Sequence, residues 1–279
     1  MKISNSRLDT YRRCPRKYRW TYVENIVTRR DSVPLIVGDA VHRGLAAHYT
    51  SKDIQPAIAG AFDEVRAKGK WMEGELSDLA AQQEYTELIL RWYKGKYPSE
   101  VWTILAPEVQ GHVPLGDHQF FFRTDGLVSW QGFVWVLEHK TASAFGDIFF
   151  KKFRNDGQVT AYMWGVWKHG FDRPKGTIIN AIRKSKKLDR ADFQRDVVLR
   201  TEDQLNEYMM QVEWECDEIG KYELGAKDDR LSWIMHTHEC VAFNRTCEYL
   251  ELCIKDRPEM RASFMDREPD YVDKGGDKE

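Results

Sequence analysis

The chain has 279 residues, 42% hydrophobic and 31% charged, with a formal net charge of -2. That is an ordinary globular balance, long enough for one large core or two small ones. It excludes a protein that coats nucleic acid by bulk positive charge, so any DNA-binding surface must be a local basic patch. No N-terminal apolar run resembles a signal peptide and no apolar stretch is long enough to span a bilayer, so a cytoplasmic protein without a membrane partner is expected. Its five Cys (14, 216, 240, 247 and 253) then read as thiols or metal ligands rather than disulfides.

In chain order, Ser4 or Ser6 can cap a short helix, and Pro15 suits the first turn of a second. Seven Arg or Lys lie between Lys2 and Arg19. They read either as a solvated helix face or, with Tyr11, Tyr18, Trp20 and Tyr22 between them, as a surface on which bases stack. Residues 35–42 lead into a helix that runs through Leu45 and Tyr49. A lone helical His such as His42 is more often a core or surface residue than a ligand. From 53 to 97 the apolar spacing is helical throughout, giving two or three helices with a loop at 69–77 and a stop at Pro98.

Residues 101–113 are expected to open a sheet, interrupted at Pro107, with Glu108 as a candidate acid. Residues 120–130 and 133–137 read as two strands joined by a turn at Gln131-Gly132. FVWVL is an unbroken apolar run, as in a strand buried on both faces. That strand ends in Glu138-His139-Lys140, with Glu138 and Lys140 two apart and so on one face. Buried charge is costly unless paired or metal-bound, which marks this strand end as a candidate site. A mobile loop is expected over 142–157, then a helix carrying Gln158 and Tyr162 on one face. Residues 176–183 read as another strand, 201–223 as a long amphipathic helix, and the polar residues from 266 onward as a flexible tail.

An Asp followed by Glu-x-Lys on the next strand suits a phosphodiester hydrolase. Hard carboxylates bind Mg²⁺ or Mn²⁺, the ion polarises the phosphate, and the lysine stabilises developing charge. The bland alternative is a surface ion pair at a strand end, of little energetic weight.

Asp125, Glu138-His139-Lys140 and Gln158-x-x-x-Tyr162, in that order, resemble the motifs of the PD-(D/E)XK nucleases, in particular the RecB-like branch. Gly38-x-x-x-His42 matches that branch's histidine motif. The Cys14-Pro15-x-Lys17-Tyr18 opening and the late Cys residues resemble its iron–sulfur subgroup, which includes the AddB nuclease domain and the CRISPR-associated RecB-like exonucleases. The resemblance runs from Ser4 to Cys253.

It implies an α/β fold with a restriction-endonuclease-like mixed central sheet flanked by helices. It implies a single nuclease domain over 1–265, with a helical insertion at about 50–98 and terminal Cys segments 4–22 and 238–255 joined by a cluster, leaving a tail over 266–279. Asp125 and Glu138 would ligate Mg²⁺ or Mn²⁺, with the His139 carbonyl as a further ligand. His42 would be another, tilting the choice to Mn²⁺ through its softer imidazole. Lys140 would be the catalytic lysine, with Gln158 and Tyr162 holding the substrate strand or the lysine, and Glu108 a further family acid.

The resemblance also implies that Cys14, Cys240, Cys247 and Cys253 hold a structural [4Fe–4S] cluster, with Zn²⁺ as the competing occupant. The family's usual Cys-x-x-Cys is altered, because Asn244 stands three before Cys247. Cys216, within the amphipathic helix, reads as a buried apolar Cys. The function implied is a metal-dependent DNA exonuclease on single strands or strand ends, in recombination or repair, as suits a phage. A helicase or annealing protein is a candidate partner. Local basic candidates for DNA are Arg12, Arg13, Lys151, Lys152, Lys184 and Lys186. The alternatives are a structure-specific or restriction-type endonuclease, or a non-catalytic Cys-metal DNA-binding module.

Overall fold

A computed structural model describes residues 1–28, 32–68, 71–187, 189–225, 233–242, 245–255, 258–270 and 272–274. The chain divides into two compact units. One is Arg30–Gln110 with Arg123–Leu205, and the other is Met1–Arg29 with Gly111–Phe122 and Asn206–Glu279.

The first unit is built on a five-stranded mixed sheet in the order β1 (Thr103–Ala106), β2 (Gly126–Trp130), β3 (Phe133–Ala142), β4 (Gly176–Lys184), β5 (Ala191–Leu199). Neighbours are antiparallel except β3 and β4, which run parallel. Antiparallel β2 and β3 need only a two-residue turn. Gln131 and Gly132 supply it with φ of 52° and 79°, both left-handed as a type I′ hairpin demands. Parallel β3 and β4 need a longer crossover, which carries helix α4 (Gly157–Lys168). Trp135 to His139 on β3 and Gly176 to Ile182 on β4 are buried, as central parallel strands covered on both faces should be.

Helices α1 (Val33–Tyr49), α2 (Ile54–Lys68) and α3 (Glu73–Lys96) precede the sheet. Val41, Leu45, Ile58, Phe62, Ile89, Leu90 and Tyr93 bury one another and meet Ile182 of β4. Gly44 is what lets α1 approach so closely, since a Cβ there would overlap Leu90 Cδ1 and press on Ile58.

Two strand expectations and one loop expectation are corrected. Residues 120–130 are not one strand: they divide at Asp125 into His118–Thr124, paired in parallel with Lys2–Ser4, and β2, paired with β3. The Asp125 side chain turns back onto a backbone N–H of β3, which a residue in a continuous ladder does not do. Residues 101–113 likewise divide. β1 joins the five-stranded sheet, whereas Val109–Leu115 joins the three-stranded sheet of Lys2–Ser4 and His118–Thr124. The break falls at Pro107, which has no N–H for a ladder. The expected loop at 142–157 contains a short helix, Asp147–Lys151, and a 3₁₀ turn, Lys152–Asn155, anchored by buried Phe153.

In the second unit, helix Glu202–Gly225 buries Met209, Val212, Cys216 and Ile219. Trp20, Tyr249, Leu252 and Phe264 form a smaller core. The tail expected to be flexible from 266 is instead tied down over its described residues. Asp266 ends a strand, Phe264–Asp266, antiparallel to Ile26–Thr28. Arg7 pairs with Asp270 and Asp273, Arg267 pairs with the same two acids, and Val272 is fully buried. Arginine–carboxylate pairs hold this segment without the apolar content that a packed terminus usually needs. Residues 275–279 lie outside the described residues, as does Asn244.

Candidate active site

The site lies wholly in the first unit, at the end of β3. Trp135, Val136 and Leu137 carry β3 through the core, and Glu138 and His139 are buried with them. Asp125, at the break before β2, accepts a hydrogen bond from the His139 backbone N–H at 2.6 Å through Oδ2. Its Oδ1 lies 2.8 Å from His42 Nδ1 on α1. Lys140 Nζ donates to Glu138 Oε1 at 2.7 Å and to Gln158 Oε1 at 2.6 Å. Gln158 Nε2 in turn donates to Tyr162 OH at 2.9 Å. Gln158 sits in the first turn of α4, which Asp156 caps by accepting from the Val159 N–H.

The electrostatics follow from this geometry. Burial works to raise the Asp125 carboxyl, but the neighbouring His42 and the His139 N–H outweigh it and hold Asp125 well below the usual carboxylate range. Burial pushes Glu138 up to about 7, reinforced by the Asp125 charge and only partly offset by Lys140. Burial works to lower both His42 and Lys140, yet each ends above its ordinary value because of the acid beside it, Asp125 and Glu138 respectively. Burial takes His139 down to about 3, so its ring is neutral. Two interacting carboxylates, one lysine and a polar helix face thus converge at one strand end. That arrangement can hold a cation and counter negative charge on a substrate.

Among the described residues, no three His, Cys, Asp or Glu side chains stand close enough together to hold a metal ion. Asp125 is engaged with His42 and the β3 backbone, and Glu138 with Lys140. The donor chemistry nonetheless suits a hard divalent cation, since Asp125 and Glu138 are both carboxylates and the Asp125 charge raises the proton affinity of Glu138. Glu108, the further candidate acid, is 3.9 Å from Arg123 and half-exposed.

Sequence reasoning missed a buried polar network behind the site. Asn180 Nδ2 lies 2.8 Å from His139 Nδ1 and donates to Tyr93 OH at 3.0 Å. Arg195 donates to Tyr93 OH and, through two nitrogens, to Glu100, which also accepts from Tyr49 OH. The Tyr49 ring stacks on His139 at 5.9 Å. The available signal was Asn180 itself, a lone amide in the apolar strand GTIINAIR, since buried polar groups are nearly always hydrogen-bonded.

The Cys candidates lie in the second unit. Burial raises the Cys253 thiol, and Cys14 and Cys240 act on it as well. Burial pushes Cys247 up to about 11, with Cys253 adding to the rise. Trp20 Nε1 donates to Cys253 Sγ at 3.4 Å, and the His236 N–H to Cys14 Sγ at 3.5 Å. Cys216 is separate on its helix, pushed up to about 12 by burial.

The basic candidates divide. Arg12 donates to Glu215 and Tyr208. Lys184 donates to the Pro34 carbonyl at 3.0 Å. Arg13 is exposed and 3.7 Å from Asp9. Lys151, Lys152 and Lys186 are exposed.

The family model for the PD-(D/E)XK nuclease superfamily matches residues 2–254. No curated protein matches the chain. Among solved structures, a "Putative exonuclease" from Eubacterium rectale aligns with a TM-score of 0.48 at 17% identity, covering 82% of this chain and 76% of that one. The structure of SSO0001 aligns with a TM-score of 0.27 at 17% identity, covering 68% and 84% respectively. Among the described residues no helix is long and apolar enough to cross a membrane.

Proposed function

The chain belongs to the PD-(D/E)XK nuclease superfamily, and from that premise we propose that it is a metal-dependent exonuclease hydrolysing DNA at single strands or strand ends, in recombination or repair. Membership makes it a nuclease acting on DNA, in a superfamily that usually uses Mg²⁺ or Mn²⁺. The observation that carries the catalytic assignment is the Lys140 ammonium, gripped between Glu138 and Gln158 one strand position from the residue whose N–H fixes Asp125.

Asp125 and Glu138, with His42 and the His139 carbonyl, would hold the divalent ion. When bound, the ion supplies Lewis-acid polarisation of the phosphate and lowers the pKa of a water. The other roles belong to the chain. Lys140 presents fixed positive charge to the oxygens on which negative charge develops. Gln158 keeps that ammonium aimed, and Tyr162 keeps Gln158 aimed. His42 and, less strongly, the His139 N–H keep the Asp125 carboxylate ionised, and that N–H orients it. Burial around Glu138 and His139 limits water at the strand end, which strengthens each of these charges.

Cys14, Cys240, Cys247 and Cys253 are assigned as the ligands of a structural [4Fe–4S] cluster, with Zn²⁺ as the alternative. The support is the donor type and local geometry: the Cys247 N–H donates to the Cys240 carbonyl at 2.8 Å, Cys247 and Cys253 both pack on the Trp20 core, and Cys216 stands on a separate helix. Iron and acid-labile sulfide in anaerobically purified protein, both lost in Cys253→Ser, are the expected result. Zinc without sulfide identifies the alternative.

End-labelled linear and circular single-stranded DNA, incubated with the protein in Mn²⁺ beside Glu138→Ala, tests the main reading. Degradation of the linear strand alone, abolished in the variant, is the expected result. Cutting of the circle makes the protein an endonuclease, and binding without turnover makes it a non-catalytic module.

A further inference from the structure

The short segment between β3 and α4 has a composition that packing alone does not explain. Phe153 is its anchor: it is buried, and its carbonyl accepts a hydrogen bond from Arg200 at 3.0 Å. Phe145, Phe149 and Phe150 are only half-buried. Their ring centroids lie 5.0 to 5.9 Å apart in tilted and edge-to-face arrangements. Ile148, at the apex of the short helix, is 83% exposed. One buried phenylalanine suffices to pin a turn of this length. Phe149 packs edge-on against Phe153 at 5.4 Å, but Phe145, Phe150 and the bare Ile148 still leave apolar surface facing water.

The same segment is basic. Lys151, Lys152 and Arg154 are exposed, and no ion pair ties them to an acid among the described side chains. Lys152 Nζ lies 4.5 Å from the Phe149 ring centre and 4.7 Å from that of Phe153. The segment also adjoins the catalytic lysine. Lys140 and Lys152 act on each other electrostatically, Asp156 acts on both, and Gln158 bonds Lys140 two residues beyond that cap.

Half-buried rings edged by exposed cations, next to the proposed nuclease site, match one class of ligand. Bases of a single strand have exposed π-faces for the rings, and their phosphates suit the cations. A paired duplex hides its base faces in its own stack. We infer that Phe145, Ile148, Phe149 and Phe150, with Lys151 and Arg154, form a base-stacking platform that receives single-stranded DNA at the nuclease site. This inference rests on the nuclease reading and deepens it: the platform selects single strands and frayed ends over intact duplex. Phe149 and Phe150 supply ring faces, Ile148 the apolar tip against which a terminal base rests, and Lys151 and Arg154 the phosphate contacts.

The test measures binding of a labelled oligo-dT and of a blunt duplex by fluorescence anisotropy without added divalent metal, so that binding is read independently of cleavage. The variants are Ile148→Ser, Phe149→Leu and Phe145→Leu. The exposed Ile148 can be changed without disturbing packing, and the leucines keep apolar bulk while removing the π-face. A stacked base contributes enough that its loss weakens binding roughly 5- to 100-fold. The expected result is a loss of that order on oligo-dT for Phe149→Leu and a smaller one for Ile148→Ser, with duplex binding changed less than about twofold. A strand carrying 2-aminopurine should be quenched by the parent protein and not by Phe149→Leu. Unchanged oligo-dT affinity in all three variants overturns the platform, as does an equal loss on duplex, which marks a general electrostatic surface. The arms separate the two readings. Binding losses in a protein that never cleaves leave the platform standing and remove the nuclease assignment. Cleavage by a parent whose variants bind normally does the reverse.

Discussion

Replacing Arg195 with methionine removes one partner of the most enclosed ion pair behind the site. Arg195 and Glu100 have side chains 16% and 14% exposed and are joined by two hydrogen bonds of 2.7 Å. The guanidinium also bonds Tyr93 OH and lies over Tyr97, 3.5 Å from the ring centre, and over Trp102 at 4.3 Å. Methionine keeps most of the apolar stem but leaves Glu100 with Tyr49 as its remaining donor. Breaking a buried pair from one side costs about 3–5 kcal/mol. The residual exposure places this one near the low end, at about 3 kcal/mol, which corresponds to a fall in Tm of roughly 6–12 °C for a unit of this size. The double variant Glu100→Gln, Arg195→Met leaves no uncompensated charge, so it should be more stable than the sum of the single changes predicts, by about 1.5 kcal/mol or more. Urea unfolding of the four proteins measures this. A single-variant cost below about 1 kcal/mol, or strict additivity, would refute the account of this network as a paired, desolvated unit.

Three further outcomes follow from the site and the helices. Glu138 is raised to about 7 in the folded protein against an ordinary 4.5, so the folded state retains a proton that the unfolded state has lost across that window. This stabilisation is complete below about 4.5 and disappears as pH rises through 7, so in metal-free protein Glu138→Gln should flatten the fall in urea midpoint between roughly pH 5 and pH 8. Asp125, held low, has the opposite sign: its contribution is present at neutral pH and is lost only in strong acid. Gln158→Ala removes a charge-assisted acceptor of Lys140, so kcat should fall about 10- to 100-fold, with Tyr162→Phe falling less because Gln158 still reaches Lys140. An unchanged kcat would remove Gln158 from the machinery. Gly44→Ala places a methyl against Leu90 and Ile58, so thermal unfolding should show a loss of about 1–3 kcal/mol despite alanine's better helix propensity.

The residues of the site were legible in the chain because their constraints are local. An apolar strand that ends in Glu-His-Lys, a glycine turn before it, and Gln158 and Tyr162 one helical turn apart each follow from periodicities of two and of about four. The tertiary structure decided what periodicity cannot carry. That Asp125 interrupts a strand, rather than riding within one, depends on where the His139 N–H lies, fourteen residues away. Arg12 offered no sign of its partner Glu215, which a helix two hundred residues later brings opposite it. The polar tail read as loose because composition registers missing apolar surface but not carboxylates placed to meet Arg7 and Arg267. Asn180 was visible as an anomaly in an apolar strand, yet its partners His139, Tyr93 and Arg195 come from three other elements. Local pattern specifies which residues are unusual, and the packing of distant segments specifies what each one touches and therefore what it does.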